Sequence, residues 1–437
     1  MADEADGWLP TRAFGRAIGV AGVLVVVAVL TGRYDLVVLA APFALGTVLS
    51  LRRRPSSLPI PAISGLDTEI VEGDRLRVVI GVANPDPVGL DLVLLRVRLP
   101  RWVWVRHGDH PYAAPAAAGS VAELEWDATA LRWGRHPVGP VSVHGVACDG
   151  LLVSRPVLGD PQPLKAYPVT EPFRADDAMP AAAGLVGQHH SRRLGEGGEL
   201  AGVRAFAPGD RLRRIDWRVT LRTRRVHVVS TLSDRDAEVV LLLDVLHEAG
   251  VSGGTGGAAS VLDTTVRAAA AIAEHYLHRG DRVSMLEYGL RARRLRPATG
   301  RRQYLTVLEW LLDVRPVGGS YEPSAAAFGA HLLNGNALVI VLSPLLDRRA
   351  AAMVARLARA GRFVVAVDTL PPGLPPPPLS GSWGPLSYRL WRLSRENVIG
   401  QLREHGVPVV GWAGAGSLDQ VLRDVARMAT APKSVRR

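Results

Sequence analysis

Two long apolar runs near the N-terminus constrain the fold of this chain more than any other feature. The first run, residues 13–30, is interrupted only by Arg16, and the second covers residues 36–51. In a bilayer every backbone N–H and C=O must be satisfied internally, so such runs must be helical if they enter a membrane. Each is somewhat shorter than the ~20 residues of a typical spanning helix. The short polar break between them, residues 31–35, predicts a transmembrane helical hairpin.

Two other interpretations of these runs are a cleaved signal peptide and a buried helical pair in a soluble fold. A signal peptide explains the first run and not the second, and no small-residue cleavage site separates them. Arginines indicate the orientation, since Arg52, Arg53 and Arg54 end the second run while the break holds only Arg33. The positive-inside rule then predicts a cell-membrane protein with two helices and with its soluble domains in the cytoplasm.

Residues 58–165 show the period-two apolar pattern of β-strands. In RLRVVIGVAN the apolar positions Leu76, Val78 and Ile80 fall on one face of a strand. Strands separated by Pro, Gly and Asn turns, with no helical stretch between them, predict a small antiparallel sandwich of immunoglobulin-like type. Four tryptophans could line a binding face, but packing in the core or at an edge is the favoured interpretation: Trp102, Trp104, Trp126 and Trp133.

After residue 236 the chain alternates between apolar strands and amphipathic helices. Repeated β-then-α units predict a doubly wound α/β domain with a parallel sheet. The predicted strands are AEVVLLLD, DRVSMLEY, NALVIVLS, RFVVAVD and VPVVGW, with helices that include residues 260–279 and a last helix from Leu418. Asp244, Ser343 and Asp368 end three of these strands, so we expect them at the carboxyl edge of the sheet, where ligands bind in such folds.

Motifs typical of enzymes are present only in loose form. Residues 254–259 match the dinucleotide fingerprint and residues 250–254 match a hydrolase nucleophile elbow, yet both begin well after the strand that ends at Asp244. Each motif requires a glycine-rich turn tight against the strand end. His189 and His190 have no third ligand at a usable spacing. The sequence therefore predicts a protein that is not an enzyme.

Charge is concentrated in residues 192–225, where ten arginines face four acidic residues. Of the 52 basic residues in the chain only Lys165 and Lys433 are lysines, so GC-biased coding explains part of the net charge of +11. No nucleic-acid-binding motif accompanies the arginines, and we expect no nucleic-acid binding. The single cysteine, Cys148, fits a reducing compartment.

The segment GGELAGVRAFAPGDRLRRIDWRVTLRTRRVHVV resembles the signature of the bacterial domain-of-unknown-function family 58. The matching residues are Arg204, Pro208, Gly209, Asp210, Arg214, Ile215, Asp216, Trp217 and Arg222. The chain departs from the family at Ala205-Phe206, where an acidic residue and a tyrosine are usual. The resemblance extends over most of residues 14–430 and includes the stretches EGDRLRVVIGVANPDP and LRWGRHPVGPVSVHGVACDGLL.

The resemblance implies a membrane-anchored protein with a von Willebrand factor A-like α/β domain. It also implies a MoxR-type AAA+ ATPase as partner, in envelope-related or protein-assembly work. The residues themselves allow bidentate pairs between signature arginines and Asp210 or Asp216, covered by Trp217. The arginines are Arg204, Arg214 and Arg222. The signature is then either a structural clasp between domains or a docking surface for a partner, and the clasp is favoured slightly.

The cation site of von Willebrand A-like domains is degenerate here. Where such domains have Asp-x-Ser-x-Ser, this chain has Asp244-Val-Leu246-His-Glu248, and a proline follows Ser343 where an aspartate is common. A leucine side chain cannot coordinate a hard cation, which needs several oxygen ligands. We therefore expect no cofactor and no Mg²⁺ site. The alternative is a metal- or ligand-binding enzyme of hydrolytic type that uses Asp244, Glu248 and a third carboxylate such as Asp347.

The sequence thus divides into four predicted parts. They are an N-terminal tail with two membrane helices (1–54), a β-sandwich (58–165), a linker with the charged signature (166–236) and an α/β domain (237–430).

Overall fold

The computed structural model describes residues 7–106, 111–170, 194–207, 210, 212–232, 238–289, 292–316, 337–371, 373–374, 384–412 and 414. The chain divides into two compact units, Met1–Tyr167 and Pro168–Arg437. The first unit holds two helices and several antiparallel sheets, and the second holds a strand pair and an α/β sheet.

Two consecutive apolar helices come first, α1 (Arg12–Thr31) and α2 (Asp35–Leu51). The side chain of Thr11 caps α1 by accepting a hydrogen bond from the backbone N–H of Phe14. Gly32 ends α1 with a φ of 67°, a left-handed conformation that glycine adopts without steric cost. Local sequence therefore sets both ends of α1.

Most apolar side chains of α1 and α2 are exposed, since the buried ones are only Ala21 and Ala28 in α1 and Ala40 and Thr47 in α2. With 20 residues, α1 is long enough and apolar enough to cross a membrane, whereas α2 has 17 residues and falls short of that length. Of the two predicted membrane helices, α1 alone among the described helices is long enough and apolar enough to cross a membrane. The second apolar run is helical as predicted.

Short strands in three sheets make up the described remainder of the first unit. They are β1 (Trp8–Pro10), β2 (Ile60–Leu66), β3 (Glu69–Val71), β4 (Arg75–Ala83), β5 (Leu90–Val97), β6 (Val103–Val105), β7 (Tyr112–Ala116), β8 (Val121–Ala130), β9 (Gly134–Val138), β10 (Val141–Ala147), β11 (Leu152–Ser154), β12 (Val157–Gly159) and β13 (Gln162–Tyr167). The strand orders are β1-β11-β10-β5-β7 with β12 beside β10, β2-β4-β8-β6, and β3-β13-β9. The pairing of β3 with β13 is parallel, and the central β4–β8 and β5–β10 pairs are antiparallel.

The predicted alternation explains how these sheets share one core. Leu76, Val78 and Ile80 of β4 are buried in the same cluster as Val93 and Val97 of β5. Successive residues of a strand point to opposite faces of the sheet. Every second residue is apolar here, so these side chains all point toward the shared core. The predicted antiparallel pairing is confirmed over this region except for the parallel pair β3–β13.

The four tryptophans of residues 58–165 divide between core and surface. Trp126 and Trp133 are buried, as core packing predicts, while Trp104 is 53% exposed. The guanidinium of Arg132 lies 5.2 Å from the ring centroid of Trp102.

The described part of the second unit begins with an antiparallel pair, β14 (Leu194–Ala205) and β15 (His227–Leu232). A 3₁₀ helix (Leu212–Arg214) and the short helix α3 (Trp217–Thr223) lie between these strands in the chain. The sequence predicts a linker here, since β14 is rich in glycine and shows no apolar alternation that would predict a strand. Its strand conformation depends instead on hydrogen bonds to β15.

A six-stranded sheet follows, with the order β18-β17-β16-β19-β20-β21. Its strands are β16 (Glu238–Asp244), β17 (Arg282–Tyr288), β18 (Arg294–Ala298), β19 (Leu338–Ser343), β20 (Phe363–Asp368) and β21 (Val409–Gly411). Its helices are α4 (Val261–His278), α5 (Gly300–Leu311), α6 (Arg348–Arg359) and α7 (Gly384–Glu404).

The centre of this sheet is buried on both faces. All residues of β16 are buried, and β16 pairs in parallel with β17 on one side and β19 on the other. Val240 and Leu242 belong to a core cluster with Met353 and Val354 of α6, while α4 also packs against β16. Continuous apolar strands are typical of parallel sheets covered by helices. The predicted alternation of strands and helices is confirmed for the described residues.

Two features of the α/β sheet differ from the prediction. β18 is an antiparallel edge strand beside β17 that the prediction omits, and its Pro297 is tolerated because an edge strand needs fewer ladder bonds. α7 begins at Gly384, whereas the sequence SRENVIGQLREHG predicts a helix over residues 394–406 only. The predicted helix from Leu418 lies outside the described residues.

Candidate functional site

The carboxyl ends of three parallel strands meet at one edge of the α/β sheet. β16 runs beside β19, with Leu243 opposite Leu342, and Ser343 of β19 lies opposite Asp368 of β20. Parallel neighbours end on the same side of a sheet, so the last residues of these strands are brought together. Asp244 and Ser343 are thereby brought within hydrogen-bond distance of each other.

Asp244 is buried and held by hydrogen bonds from the protein. The Ser343 hydroxyl donates to Oδ2 of Asp244 at 2.6 Å, and the Leu246 N–H donates to Oδ1 at 3.1 Å. The Ser343 Oγ in turn accepts from the Leu345 N–H at 3.0 Å. Burial raises the pKa of Asp244 to about 6, and the two hydrogen bonds oppose that rise. With Asp244 2% exposed and Ser343 fully buried, neither group is open to a substrate.

Asp347 is the capping residue before α6, and its carboxylate is bonded to Arg349 and His247. It accepts from the Arg349 N–H at 2.7 Å and from the Arg349 guanidinium at 2.6 Å, and it lies 2.8 Å from His247 Nε2. The Arg349 hydrogen bond lowers the pKa of Asp347 to about 2. This carboxylate is ionised at neutral pH and already has the charge of Arg349 beside it.

Asp368 forms an ion pair with Arg395 of α7. Arg395 Nη2 donates to Asp368 Oδ1 at 2.6 Å, and the same guanidinium donates twice to the Pro344 carbonyl at 3.0 and 2.9 Å. The two side chains are 12% and 17% exposed. Arg395 therefore ties α7 to the ends of β19 and β20. Sequence reasoning missed this residue, because no local pattern connects positions 27 residues apart.

The residues at the degenerate cation site make other contacts. Glu248 accepts from the Leu262 N–H at 3.3 Å, and Leu246 is buried in the apolar core beneath the edge. Over the described parts of the chain, no three His, Cys, Asp or Glu side chains converge as a metal-binding group. The absence of a cofactor remains a prediction, which titration with Mg²⁺ or Mn²⁺ tests.

The glycine-rich loop after β16 differs from a nucleotide-binding turn. Ser260 and Asp263 form a reciprocal capping box at the start of α4, and Glu248 accepts the Leu262 N–H beside them. A phosphate would need those free N–H groups at the helix N-terminus. His189 and His190 lie outside the described residues.

A cleft of about 1270 Å³ borders the strand edge. Its lining combines aromatic, aliphatic and charged side chains, among them His247, Leu370, Leu374, Tyr388, Trp391 and Arg395. The rings of Tyr388 and Trp391 stack with centroids 5.5 Å apart. This mixture is suited to a peptide segment more than to a small polar substrate.

The charged signature contains one bidentate ion pair that the sequence predicts. Arg204 Nη1 and Nη2 donate to the two oxygens of Asp210 at 2.7 and 2.6 Å, and the Ala207 N–H donates to the same carboxylate at 2.8 Å. These bonds from Arg204 and Ala207, with the charge of Arg214, lower the pKa of Asp210. Arg204 and Asp210 are 40% and 20% exposed, so the pair lies near the surface. Pro208 and Gly209 lie outside the described residues.

Asp216 has a role that the sequence analysis did not predict. Its carboxylate accepts from the N–H groups of Arg218 and Val219 at 3.0 and 3.1 Å and thereby caps α3. Both bonds use the same oxygen, Oδ1, so a pair between an arginine and the other oxygen of Asp216 stays a prediction. Ile215 forms a β-bridge with Val228 of β15.

Trp217 and Arg222 are both exposed. Trp217 is 64% exposed, and Arg222 on the same helix is exposed as well. A covering role of Trp217 over the ion pairs stays a prediction. An exposed tryptophan leaves apolar surface in contact with water. A structural clasp does not require such a surface, so the exposure of Trp217 favours the docking interpretation of the signature.

Replacing Asp216 by Ala should destabilise α3 by about 1 kcal/mol, because two N–H groups lose their cap. The measurement is amide hydrogen exchange at residues 218–223, which should become faster in Asp216→Ala and stay near wild type in Asp216→Ser. Unchanged exchange in the alanine variant would show that the cap does not stabilise the helix.

Comparison with known proteins agrees with the resemblance of the signature. The family model "Protein of unknown function DUF58" matches residues 202–373, a narrower span than the resemblance inferred from the sequence. Uncharacterised proteins of Mycobacterium bovis and Mycobacterium tuberculosis are 35% identical over 125 residues, which is 28% of this chain and 38% of each relative. The match thus spans about 38% of the length of these curated relatives.

Similar solved structures include a non-cellulosomal cohesin from Archaeoglobus fulgidus, with a TM-score of 0.20 and 12% identity over 26% of this chain and 93% of that one. A β-glucosidase from Listeria innocua in complex with gluconolactone has a TM-score of 0.16 and 11% identity over 25% of this chain and 16% of that one. Likenesses this weak do not bear on fold or function. Residues 202–373, which hold the signature and most of the strand-edge side chains, match the model of the DUF58 family of unknown function.

Proposed function

We propose that this chain is a membrane-anchored interaction protein and not an enzyme. The observation that carries this proposal is the commitment of the strand-edge carboxylates to structural bonds. Asp244 is bonded to Ser343, Asp368 to Arg395 and Asp347 to Arg349. A catalytic acid or base must reach the proton that it transfers, and the carboxyl with the raised pKa, Asp244, is buried.

The cleft beside this edge is the docking surface that we propose. Interface centres are enriched in aromatic residues and arginine, and the cleft offers Tyr388, Trp391 and Arg392 on one face of α7. The partner that we propose is a MoxR-type AAA+ ATPase, in envelope-related or protein-assembly work. The support for this partner is the resemblance of the signature to family 58.

The finer fold assignments belong to the same proposal. We assign the second unit to the von Willebrand factor A-like type, on the basis of its parallel β16, β17, β19 and β20 with ligand-type residues at their carboxyl ends. We assign the strands of the first unit to an immunoglobulin-like sandwich. Both assignments are supported by strand alternation and sheet order.

We also propose that α1 and α2 form a membrane hairpin and that the remaining chain lies in the cytoplasm. The supporting observations are the hydropathy of α1 and the arginines at 52–54. A cytoplasmic location is required for contact with a AAA+ ATPase, so the crosslinking experiment below also tests the orientation.

Benzoylphenylalanine in place of Tyr388 should crosslink the full chain to a AAA+ ATPase in native membranes, because position 388 lines the cleft. The measurement is mass spectrometry of the adduct after irradiation. The same photoreactive residue in place of Arg302, which is exposed on α5, is the matched control. Absence of an ATPase adduct at position 388, or an equal yield at position 302, would contradict the proposal.

Titration of the full chain in detergent with Mg²⁺ or Mn²⁺ should show no binding tighter than about millimolar, the range of low-affinity cation modules. The reason is that Leu246 supplies no oxygen and Asp244 is bonded to Ser343. Calorimetry provides the measurement. Micromolar binding that Asp244→Asn abolishes would favour the metal-dependent enzyme instead.

A further inference from the structure

The helix α3 presents two different faces. Val219 and Thr220 are half-buried, whereas Trp217 and Leu221 are 64% and 78% exposed. Residues four positions apart lie on the same side of a helix, so the Trp217 and Leu221 side chains form one exposed apolar strip. Leu212 of the preceding 3₁₀ helix adds a further apolar side chain that is 71% exposed.

Arginines lie next to this apolar strip. Arg218 and Arg222 are again four positions apart, and at about 100° per residue they lie directly beside the strip. Arg224 and Arg225 follow at the end of α3, and all four arginines are exposed. We call the surface of Leu212, Trp217, Leu221 and these four arginines the α3 face.

The α3 face has no acidic side chain of its own to neutralise it. Asp210 is paired with Arg204, and Asp216 accepts the N–H groups of its own helix. Among the described residues, no carboxylate makes an ion pair with any of the four arginines of the α3 face. Charge complementarity therefore requires an anionic occupant that also accepts apolar side chains.

We propose that the α3 face docks on an anionic lipid surface. A helix with tryptophan and leucine on one face and arginines on the adjacent one is typical of segments that lie in the membrane interface. Tryptophan favours the headgroup level, and arginine extends its charged end toward lipid phosphates while its stem stays apolar. The chain itself carries a helix fit to cross a membrane, so this inference rests on the membrane anchor of the proposed function.

A protein partner is the other possible occupant. Trp217 and Leu221 are exposed on a helix of 7 residues, and so small an apolar strip suits a soft lipid interface that needs no matching pocket. The strip and its arginines are also side by side, so both can engage a flat surface at once. These two features favour lipid over a protein surface.

The test uses the full chain in nanodiscs of phosphatidylcholine alone and of phosphatidylcholine and phosphatidylglycerol in equal parts. Amide hydrogen exchange at residues 217–225 should be several-fold slower in the discs that contain phosphatidylglycerol. High salt should reduce this protection, because it screens the arginines. Arg222→Gln combined with Arg225→Gln should abolish it, whereas the matched charge removal Arg301→Gln with Arg302→Gln on α5 should leave it intact.

Equal exchange in the two kinds of disc would overturn the inference. Protection that appears only after an acidic protein is added would also overturn it and would assign the α3 face to a protein partner. A chain that fails to enter nanodiscs of either composition would refute the membrane anchor. Entry into the discs without protection at residues 217–225 would refute lipid docking alone, so the two failures are distinguishable.

Discussion

Arg395→Met should destabilise the α/β unit by about 3 kcal/mol, because it leaves the carboxylate of Asp368 without its partner near the protein interior. The arginine makes one bond to Asp368 and two to the Pro344 carbonyl. Methionine retains most of the aliphatic stem, so packing changes little and the lost polar bonds account for the effect. Native-state hydrogen exchange of the β19 and β20 amides measures this local free energy of unfolding.

Arg392→Met provides the matched control on the same helix. Arg392 pairs with Glu396, and these side chains are 67% and 54% exposed. Exposed pairs contribute little, about 0–1 kcal/mol, so this variant should exchange like the wild type. Equal exchange in both variants would mean that Arg395 does not hold α7 to the strand edge.

Asp244→Asn should stabilise the protein by up to about 3 kcal/mol above pH 6, and this gain should fall away in acid. Burial raises the pKa of Asp244 from 3.8 to about 6, and a shift of about two units corresponds to roughly 3 kcal/mol. The folded state therefore binds the proton more tightly than the unfolded state does. The contribution of this bound proton to the free energy of unfolding is fully present below pH 3.8. It is lost as the pH rises to about 6.

The measurement is the free energy of unfolding of wild type and variant from pH 3 to pH 8. Asparagine cannot ionise, and any change in its hydrogen bond with Ser343 is the same at every pH, so the slope of the difference isolates Asp244. Asp281 has its pKa raised to about 6 by burial and acts in the same window in both proteins. Asp347, whose pKa is lowered to about 2, adds stability that is lost only as the pH falls toward 2. A difference between the proteins that does not vary with pH would contradict the prediction.

The strands and helices of the α/β unit are predictable because their signals are local. β16 is a continuous apolar run, and α4 begins at Ser260 with Asp263 at the third helical position, a capping box visible in the sequence. The same holds for α1, whose hydropathy and Gly32 define its extent. Amphipathic spacing likewise identifies α6, whose buried residues include Ala350, Met353 and Val354.

The pairing of side chains at the strand edge is not visible in the sequence. Sequence order indicates that Asp244 and Ser343 end parallel strands, but their 2.6 Å contact depends on β16 and β19 being neighbours in register. The partner of Asp368 lies on α7, and only the packing of that helix brings Arg395 to it. Such contacts join positions far apart in the chain, so no local pattern encodes them.

The charged signature shows both cases within a few residues. The sequence indicated that arginines of the signature pair with Asp210, because opposite charges lie close together in the chain, but it left open which arginine forms the pair. The helix α3 and the capping role of Asp216 were not predicted, although aspartate is a common residue at the start of a helix. Only the tertiary structure decided that Trp217 and Leu221 face outward, since Val219 and Thr220 lie on the other side of the helix, against β15. The reason is that a helical sequence fixes which residues share a face, whereas the surface available for packing decides which face is buried.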